Sequence, residues 1–279
     1  MYILPIAEMI SSSSFKSKIC NQNLIQLLTY LLENCEFSAN NKTLEEFRLC
    51  VLLILESMAK NLKILMANQK DIMELLLPAI VKKIESSSAD VRFQALKSFT
   101  DLITQYLCDD KIYNSEENNE STQCINELIL KKLFPHYGLI LSDADPMPLF
   151  GLKLLSVVVE RNSAFIVILN KLMLIEIIFQ YFEVNHPKFN AFTIKIVRAI
   201  IQSREIELQE MIQLNIVQKM NGIFENVMRN NKEWCTDHLL EIINEILHMA
   251  SEIKKKQSDI KGGAAIEGTS ELTSKKIGS

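Results

Sequence analysis

From Asp71 onward the chain alternates apolar clusters and polar turns at the period of a helix. In DIMELLLPAIVKKI (Asp71–Ile84), the DVRFQALKSFTDLI run from Asp90, and NELILKKLFPHYGLIL (Asn126–Leu141), apolar residues fall three and four apart. The same holds for DPMPLFGLKLLSVVVE from Asp145, NKLMLIEIIFQYF (Asn170–Phe182), FNAFTIKIVRAIIQ after Pro187, QLNIVQKMNGIF (Gln213–Phe224) and EWCTDHLLEIINEILHMA after Asn231. At 3.6 residues per turn that spacing puts the apolar groups on one side of a helix, whereas a strand would alternate every second residue. Leu24–Leu32 and Leu44–Ala59 carry the pattern towards the N-terminus less clearly. Asp145 followed by Pro146 predicts an N-cap with proline at the first helical position, and Ser88 or Asp90 is placed to cap the helix from Val91.

These helices repeat. Aligned on Lys97, Lys153, Lys195 and Glu241, four of them recur at intervals of 56, 42 and 46 residues, and the last two match the ~40–47-residue period of HEAT and armadillo arrays. The first interval is lengthened by DDKIYNSEENNEST, an acidic, turn-rich insertion at 109–122 that is expected to loop out. The alternate helices superpose at an offset of 42, pairing Leu172 with Leu214, Leu174 with Ile216, Ile175 with Val217, Ile178 with Met220 and Phe182 with Phe224. The Asp145 helix is apolar nearly all round except Lys153, Ser156 and Glu160, a narrow stripe predicted to see water. Lys195, Arg198 and Gln202 reproduce it, as do Glu241, Asn244 and His248. The fold expected is all-α, a right-handed α-solenoid of HEAT/armadillo-type repeats over residues 19–250. A flexible leader over 1–18 and a disordered tail over 251–279 flank it, the tail holding four of the seven glycines.

Composition narrows the chemistry. Seven Gly and six Pro in 279 residues leave too few turns and phosphate loops for a Rossmann sheet, a sandwich or a barrel. There is no G-x-S-x-G, G-x-x-x-x-G-K-[ST] or H-E-x-x-H motif, so no catalytic residue and no cofactor is expected. A net charge of −4 argues against nucleic acid or an anionic membrane as partner. Ala164–Phe182 is the most apolar run, but Asn170, Lys171 and Glu176 interrupt it at a cost of about 3 kcal/mol per charge at mid-bilayer, so it reads as a buried helix. Cys20, Cys35, Cys50, Cys108, Cys124 and Cys235 form no C-x-x-C pair and read as reduced, mostly buried thiols. Cys235 and His238, with His248 beyond, lack further ligands for a zinc site, so no metal is expected. The acidic residues of 109–122 lack the spacing of a calcium loop, and MYILPIAEMI lacks the n- and h-regions of a signal peptide. The serine runs Ser11–Ser14 and Ser86–Ser88 read either as phosphorylation sites or as leader and helix cap.

The lysine series is the candidate binding feature. Lys97, Lys153 and Lys195, with Arg198, occupy equivalent positions of successive inner helices and would line one concave face able to hold an acidic, extended partner; the competing reading is an ordinary solvated face. Lys82–Lys83 and Lys131–Lys132 admit the same two readings.

The segment LKKLFPHYGLILSDADPMPLFGLKLLSVVVERNSAF, Leu130 to Phe165, resembles the C-terminal HEAT/armadillo region of the Fused-related Runkel-type kinases, in animals the fourth Unc-like kinase. The resemblance rests on Pro135, Tyr137, Asp143, Asp145, Pro146, Pro148, Leu149, Phe150, Gly151, Leu152, Lys153, Leu154 and Leu155. It implies a repeat scaffold associated with microtubules, cilia or the plant division apparatus, in the cytoplasm or on the cytoskeleton. No kinase glycine loop, V-A-I-K, H-R-D or D-F-G occurs here, so no activity carries over. The function expected is a non-catalytic protein-interaction scaffold, with tubulin or a Fused-type kinase as partner. The alternative is a regulatory region that docks onto a serine/threonine kinase.

Overall fold

The computed structural model describes residues 18–34, 50–51, 54–108, 119–230 and 235–273, with side chains described except at 119–121, 230 and 256–273. Among these residues the regular structure is helical, with no strand. The helices are α1 (Gln22–Asn34), a short inner helix at 54–59, α2 (Leu62–Ala67), α3 (Gln69–Asp71), α4 (Leu77–Ile84), α5 (Ala89–Cys108), α6 (Asn119–Leu128), α7 (Tyr137–Ser142) and α8 (Met147–Arg161). They continue with α9 (Ala164–Lys171), α10 (Leu174–Tyr181), α11 (Ala191–Ser203), α12 (Leu208–Gln213), α13 (Ile216–Asn230) and α14 (Thr236–Thr273). The chain divides into two compact units, Met1–Asn162 and Ser163–Ser279.

In the first unit α4 and α5 form a hairpin, α5 packs along α8, and α7 lies against α8. In the second, α11 packs along α14, α10 against α11, and α13 against α12 and α14. The inner helices carry the core. Leu96, Phe99, Leu102 and Ile103 of α5, Leu152, Leu154 and Leu155 of α8, and Ile194, Ile196, Val197, Ile200 and Ile201 of α11 are all fully buried. Each such side chain contributes about 1.5–3 kcal/mol of transfer free energy.

The outer helix of each repeat is broken midway, which the apolar pattern did not foretell. In the first unit the breaks are π-turns at Ile72–Leu76 and Ile129–Leu133, the second followed by a 3₁₀ turn at Phe134–His136; the expected continuous helix Asn126–Leu141 is therefore four pieces, α, π, 3₁₀ and α. In the second unit the breaks are left-handed residues, Met173 at φ 56° and Asn215 at φ 54°. These two lie 42 residues apart, the same offset that superposed the sequences. The run 164–181 bends by 95° at this break, and among the described residues no single helix is long and apolar enough to cross a membrane.

Other expectations are corrected locally. α8 starts at Met147, with Pro146 outside it at φ −98°, and no side chain caps it. Asp145 is thus not the cap. Pro148 takes the first turn instead, where a missing N–H loses no partner. Ser88 precedes α5, and its carbonyl accepts from the Arg92 amide at 3.0 Å. Ser156 does not see water: it is buried, and its Oγ donates to the Lys153 carbonyl at 2.8 Å. Residues 119–122 of the expected insertion open α6, whereas 109–118 lie outside the described residues, as do the leader up to residue 17 and Ser11–Ser14. The backbone of α14 runs on past Ala250 to Thr273, and 274–279 of the expected tail lie outside the described residues. Once α14 is nucleated by its packed first turns, propagation adds one hydrogen bond per residue, and SEIKKKQSDIK is rich in good helix formers. Of the described cysteines Cys20, Cys50 and Cys235 are buried, Cys124 half-buried and Cys108 exposed, and none of these five forms a disulfide.

Candidate functional site

The segment that carries the family resemblance folds into one piece of local architecture. Pro135 sits in the 3₁₀ turn that ends the broken outer helix. Tyr137, the first residue of α7, is fully buried, and its hydroxyl donates to the Gly151 carbonyl of α8 at 2.6 Å. Burial pushes the Tyr137 phenol well above its usual range. Gly151 is required there by proximity: a Cβ would stand 2.8 Å from Cγ2 of Ile140. The next residue, Leu152, fills the core with no exposed area.

Asp143, between α7 and α8, anchors the connection. Arg92 of α5 binds it with both arms, Nε to Oδ2 and Nη2 to Oδ1, each at 2.8 Å. The Nη1 of Arg92 donates to the carbonyls of Ser86 and Ser87, both at 3.0 Å. One guanidinium thus ties the α4–α5 loop to the α7–α8 loop, and Ser86–Ser88 serve as its backbone acceptors and the entry to α5. The Arg92 hydrogen bond holds the Asp143 carboxyl below the usual carboxylate range, with the Ala144 amide assisting, and the same contact raises Arg92. A planar fork on a carboxylate is the strongest form of such a pair. Next to it Phe93 and Phe150 meet edge to face at 5.3 Å, and the Lys153 ammonium stands 5.6 Å over the Phe150 ring.

Arg92 and Asp143 form one side of a cleft of about 440 Å³ floored by Ile84, Ile140 and Met147. On the other side His136 Nε2 lies 3.1 Å from Glu85 Oε1. Leu139 stands at its mouth, 72% exposed. The Arg92–Asp143 ion pair and the His136–Glu85 contact satisfy the polar groups of the rim and leave an apolar floor, an arrangement suited to holding a side chain or a turn of a partner rather than to activating a nucleophile. Among the described residues no three His, Cys, Asp or Glu side chains come together as a metal site.

The structure places the lysine series differently from a free basic row. Lys97 is 3.9 Å from Glu56 on the preceding inner helix, and Lys153 binds Asp101 of α5 at 2.9 Å. Lys60 and Lys97 hold the Glu56 carboxyl below its usual range. Arg198 of α11 binds Glu241 of α14 at 3.0 Å and the Nδ1 of His238 at 2.9 Å. These cations are rungs between neighbouring inner helices, so most of their field is spent inside the fold. Lys195 is half-buried and makes no ion pair among the described residues. It belongs to the second unit, as does Arg198, while Lys97 and Lys153 belong to the first. Lys82 and Lys131 are likewise paired, with Glu33 and Glu127.

Sequence reasoning missed Arg92, Glu85, His136 and Asp101. For Asp101 there was a signal, since it lies four residues after Lys97 on the same helix face. Arg92 had none: its partner is 51 residues away.

The comparisons with known proteins agree with this architecture. A family model describing the HEAT repeats of ULK4-like serine/threonine-protein kinases matches residues 3–167. The chain belongs to this ULK4-like HEAT-repeat family. The match covers the Tyr137–Gly151 and Arg92–Asp143 contacts, and what it describes is a repeat region and not a kinase domain. Among curated proteins, the serine/threonine-protein kinase RUNKEL of Arabidopsis thaliana is 23% identical over 88% of this chain and 18% of its own length. The serine/threonine-protein kinase ULK4 of Mus musculus is 25% identical over 69% of this chain and 15% of its own. The chain therefore spans less than a fifth of these relatives. Among solved structures, an engineered protein superposes with a TM-score of 0.52 at 8% identity, covering 88% of this chain and 97% of that one. That likeness supports an all-α repeat fold.

Proposed function

We propose that this ULK4-like repeat region is a non-catalytic protein-interaction scaffold of the cytoplasm, with the cytoskeleton or a cilium as its setting and the microtubule lattice as its partner. The observation that carries this reading is an apolar cleft within the matched segment. His136, Leu139, Ile140, Ser142, Asp143 and Met147 line it, the Arg92–Asp143 pair stands on its rim, and Leu139 at its mouth is left exposed. The test is co-sedimentation of the full chain with microtubules, beside the variant Leu139→Glu. Because Leu139 is exposed, the variant should keep its helical circular dichroism. Saturable pelleting that the variant loses supports the reading, and absence of the wild-type chain from the pellet refutes the microtubule partner.

A second reading is favoured by the names of the relatives, both serine/threonine-protein kinases: the repeats dock onto and regulate a kinase domain. Co-elution of the chain with a purified kinase domain of RUNKEL or ULK4 on size exclusion, without pelleting on microtubules, would select it.

A further inference from the structure

Among the serines whose side chains are described, three have a carboxylate three residues further on: Ser87 with Asp90, Ser98 with Asp101 and Ser142 with Asp145. That spacing matters because protein kinases choose substrates by charge pattern, and one class uses its own basic residues to bind carboxylates that follow the acceptor. The structure separates the three. Ser98 is buried in α5. Ser87 is exposed, but Asp90 already lies in the first turn of α5. Ser142 is exposed and ends α7; Asp143 to Pro146 after it are non-helical, with Asp143 extended at ψ 170°. Asp145 is exposed as well. An accessible hydroxyl, a carboxylate beside it and another three residues on therefore share one irregular connection that a kinase groove can take in extended form.

The surroundings of Ser142 are fitted to a phosphate. Ser142 lines the cleft that also holds Arg92 and His136, and its Oγ donates to the Gly138 carbonyl at 2.8 Å. A guanidinium has five N–H donors, and the bonds of Arg92 to Asp143, Ser86 and Ser87 occupy four of them, leaving one on Nη2. A phosphoserine carries about −1.5 to −2 charge and three acceptor oxygens. At the C-terminal end of α7 and beside Asp143 such a group is repelled. The ionisable groups about it are Arg92 and His136 on one hand and Glu85, Asp143 and Asp145 on the other. A cation thus decides where the phosphate settles, and a planar guanidinium is the side chain that matches phosphate best.

We propose that Ser142 is a phosphoacceptor site for a serine/threonine kinase directed by acidic residues, and that Arg92 holds the phosphate against the wall of the cleft. The Ser142 Oγ attacks the γ-phosphorus of ATP, the bond from that phosphorus to the bridging oxygen breaks, ADP departs, and the hydroxyl proton passes to the catalytic base of the kinase. The bond from Ser142 to the Gly138 carbonyl is lost with that proton. The phosphate then shares Arg92 with Asp143. It also stands in the cleft proposed above to receive a partner, so that modification and docking compete; this last consequence alone rests on that reading.

Treatment of the full chain with casein kinase II and ATP, followed by mass spectrometry of the peptide that carries Ser142, tests the acceptor. Phosphate should reach Ser142. Asp145→Lys, at an exposed position in the connection, should slow its incorporation at least about tenfold while helical circular dichroism stays as in wild type. Phosphorus NMR of the modified chain tests the seat. Phosphoserine loses its second proton at about pH 6. Repulsion from Asp143 and the end of α7 alone would place that loss higher in the native chain than in the same chain unfolded in urea. Capture by Arg92 should place it lower, by at least about half a unit, and Arg92→Gln should abolish the lowering; the comparison of native with unfolded wild type decides the sign without any variant. The proposal is overturned if Ser142 stays unmodified, if Asp145→Lys is modified as fast as wild type, or if the phosphate titrates in the native chain at or above its value in urea. A lowering that persists in folded Arg92→Gln overturns it too.

Discussion

Asp143→Asn removes one charge from the Arg92 fork and leaves the shape of the side chain almost unchanged. The size of the effect follows from burial. The two side chains are 23% and 17% exposed, between the exposed pairs that are worth about 0.2–1 kcal/mol and the buried pairs whose breakage costs about 3–5 kcal/mol. Arg92 keeps its bonds to the Ser86 and Ser87 carbonyls, so it is not stranded, and a loss of about 2 kcal/mol is expected. The assay is urea unfolding followed by far-ultraviolet circular dichroism. The pH dependence has a definite sign. The folded carboxyl titrates below its unfolded value of about 3.9, so its stabilisation is fully present above that value and is lost as pH falls through the folded one. The gap between wild type and variant should therefore be flat from neutral pH down to about 5 and close in more acidic solution. Coincident midpoints at neutral pH, or a gap that widens in acid, would refute the assignment of Arg92–Asp143 as the tie between the two loops.

Leu152→Ala should cost roughly 2–5 kcal/mol in unfolding free energy, because the side chain is fully buried between α8 and its neighbours; a midpoint unchanged within error would show the register of α8 to be wrong. Gly151→Ala gains about 1 kcal/mol of helix propensity but places a methyl 2.8 Å from the Ile140 Cγ2, where overpacking costs about 1–3 kcal/mol. Its melting temperature should fall and not rise. Lys153→Glu sets a carboxylate against Asp101 and should lower the urea midpoint, whereas Lys195→Glu should leave it nearly unchanged; equal effects of the two would mean that the Lys153–Asp101 rung is not formed in solution.

Much of the fold is legible in the chain because helical periodicity is a local property. An apolar side chain every three or four residues needs a packed face, and too few glycines and prolines leave few other ways to build one. The 42-residue offset was readable for the same reason, and it returns as the pair of left-handed breaks at Met173 and Asn215. Those breaks themselves were hidden. A π-turn or a single left-handed residue changes the direction of a helix without changing its hydrophobic period, so LKKLFPHYGLIL and the run from Ala164 to Phe182 read as unbroken.

The candidate site divides in the same way. The motif from Pro135 to Lys153 could be picked out residue by residue, and Tyr137, Gly151 and Leu152 carry the size constraints expected of a close helix contact. That Asp143 is held by Arg92, and that Lys153 faces Asp101, depends on helices about 50 residues apart in the chain lying side by side. A lysine is the same letter whether it faces solvent or a carboxylate. The sequence alone established the helices, their repeat period and the family segment, because each is written in spacing along one dimension. Which cations are rungs of the fold, where the outer helices bend and which side chains meet at the cleft were decided only by tertiary packing, because charge pairing and burial depend on what lies across the space between helices.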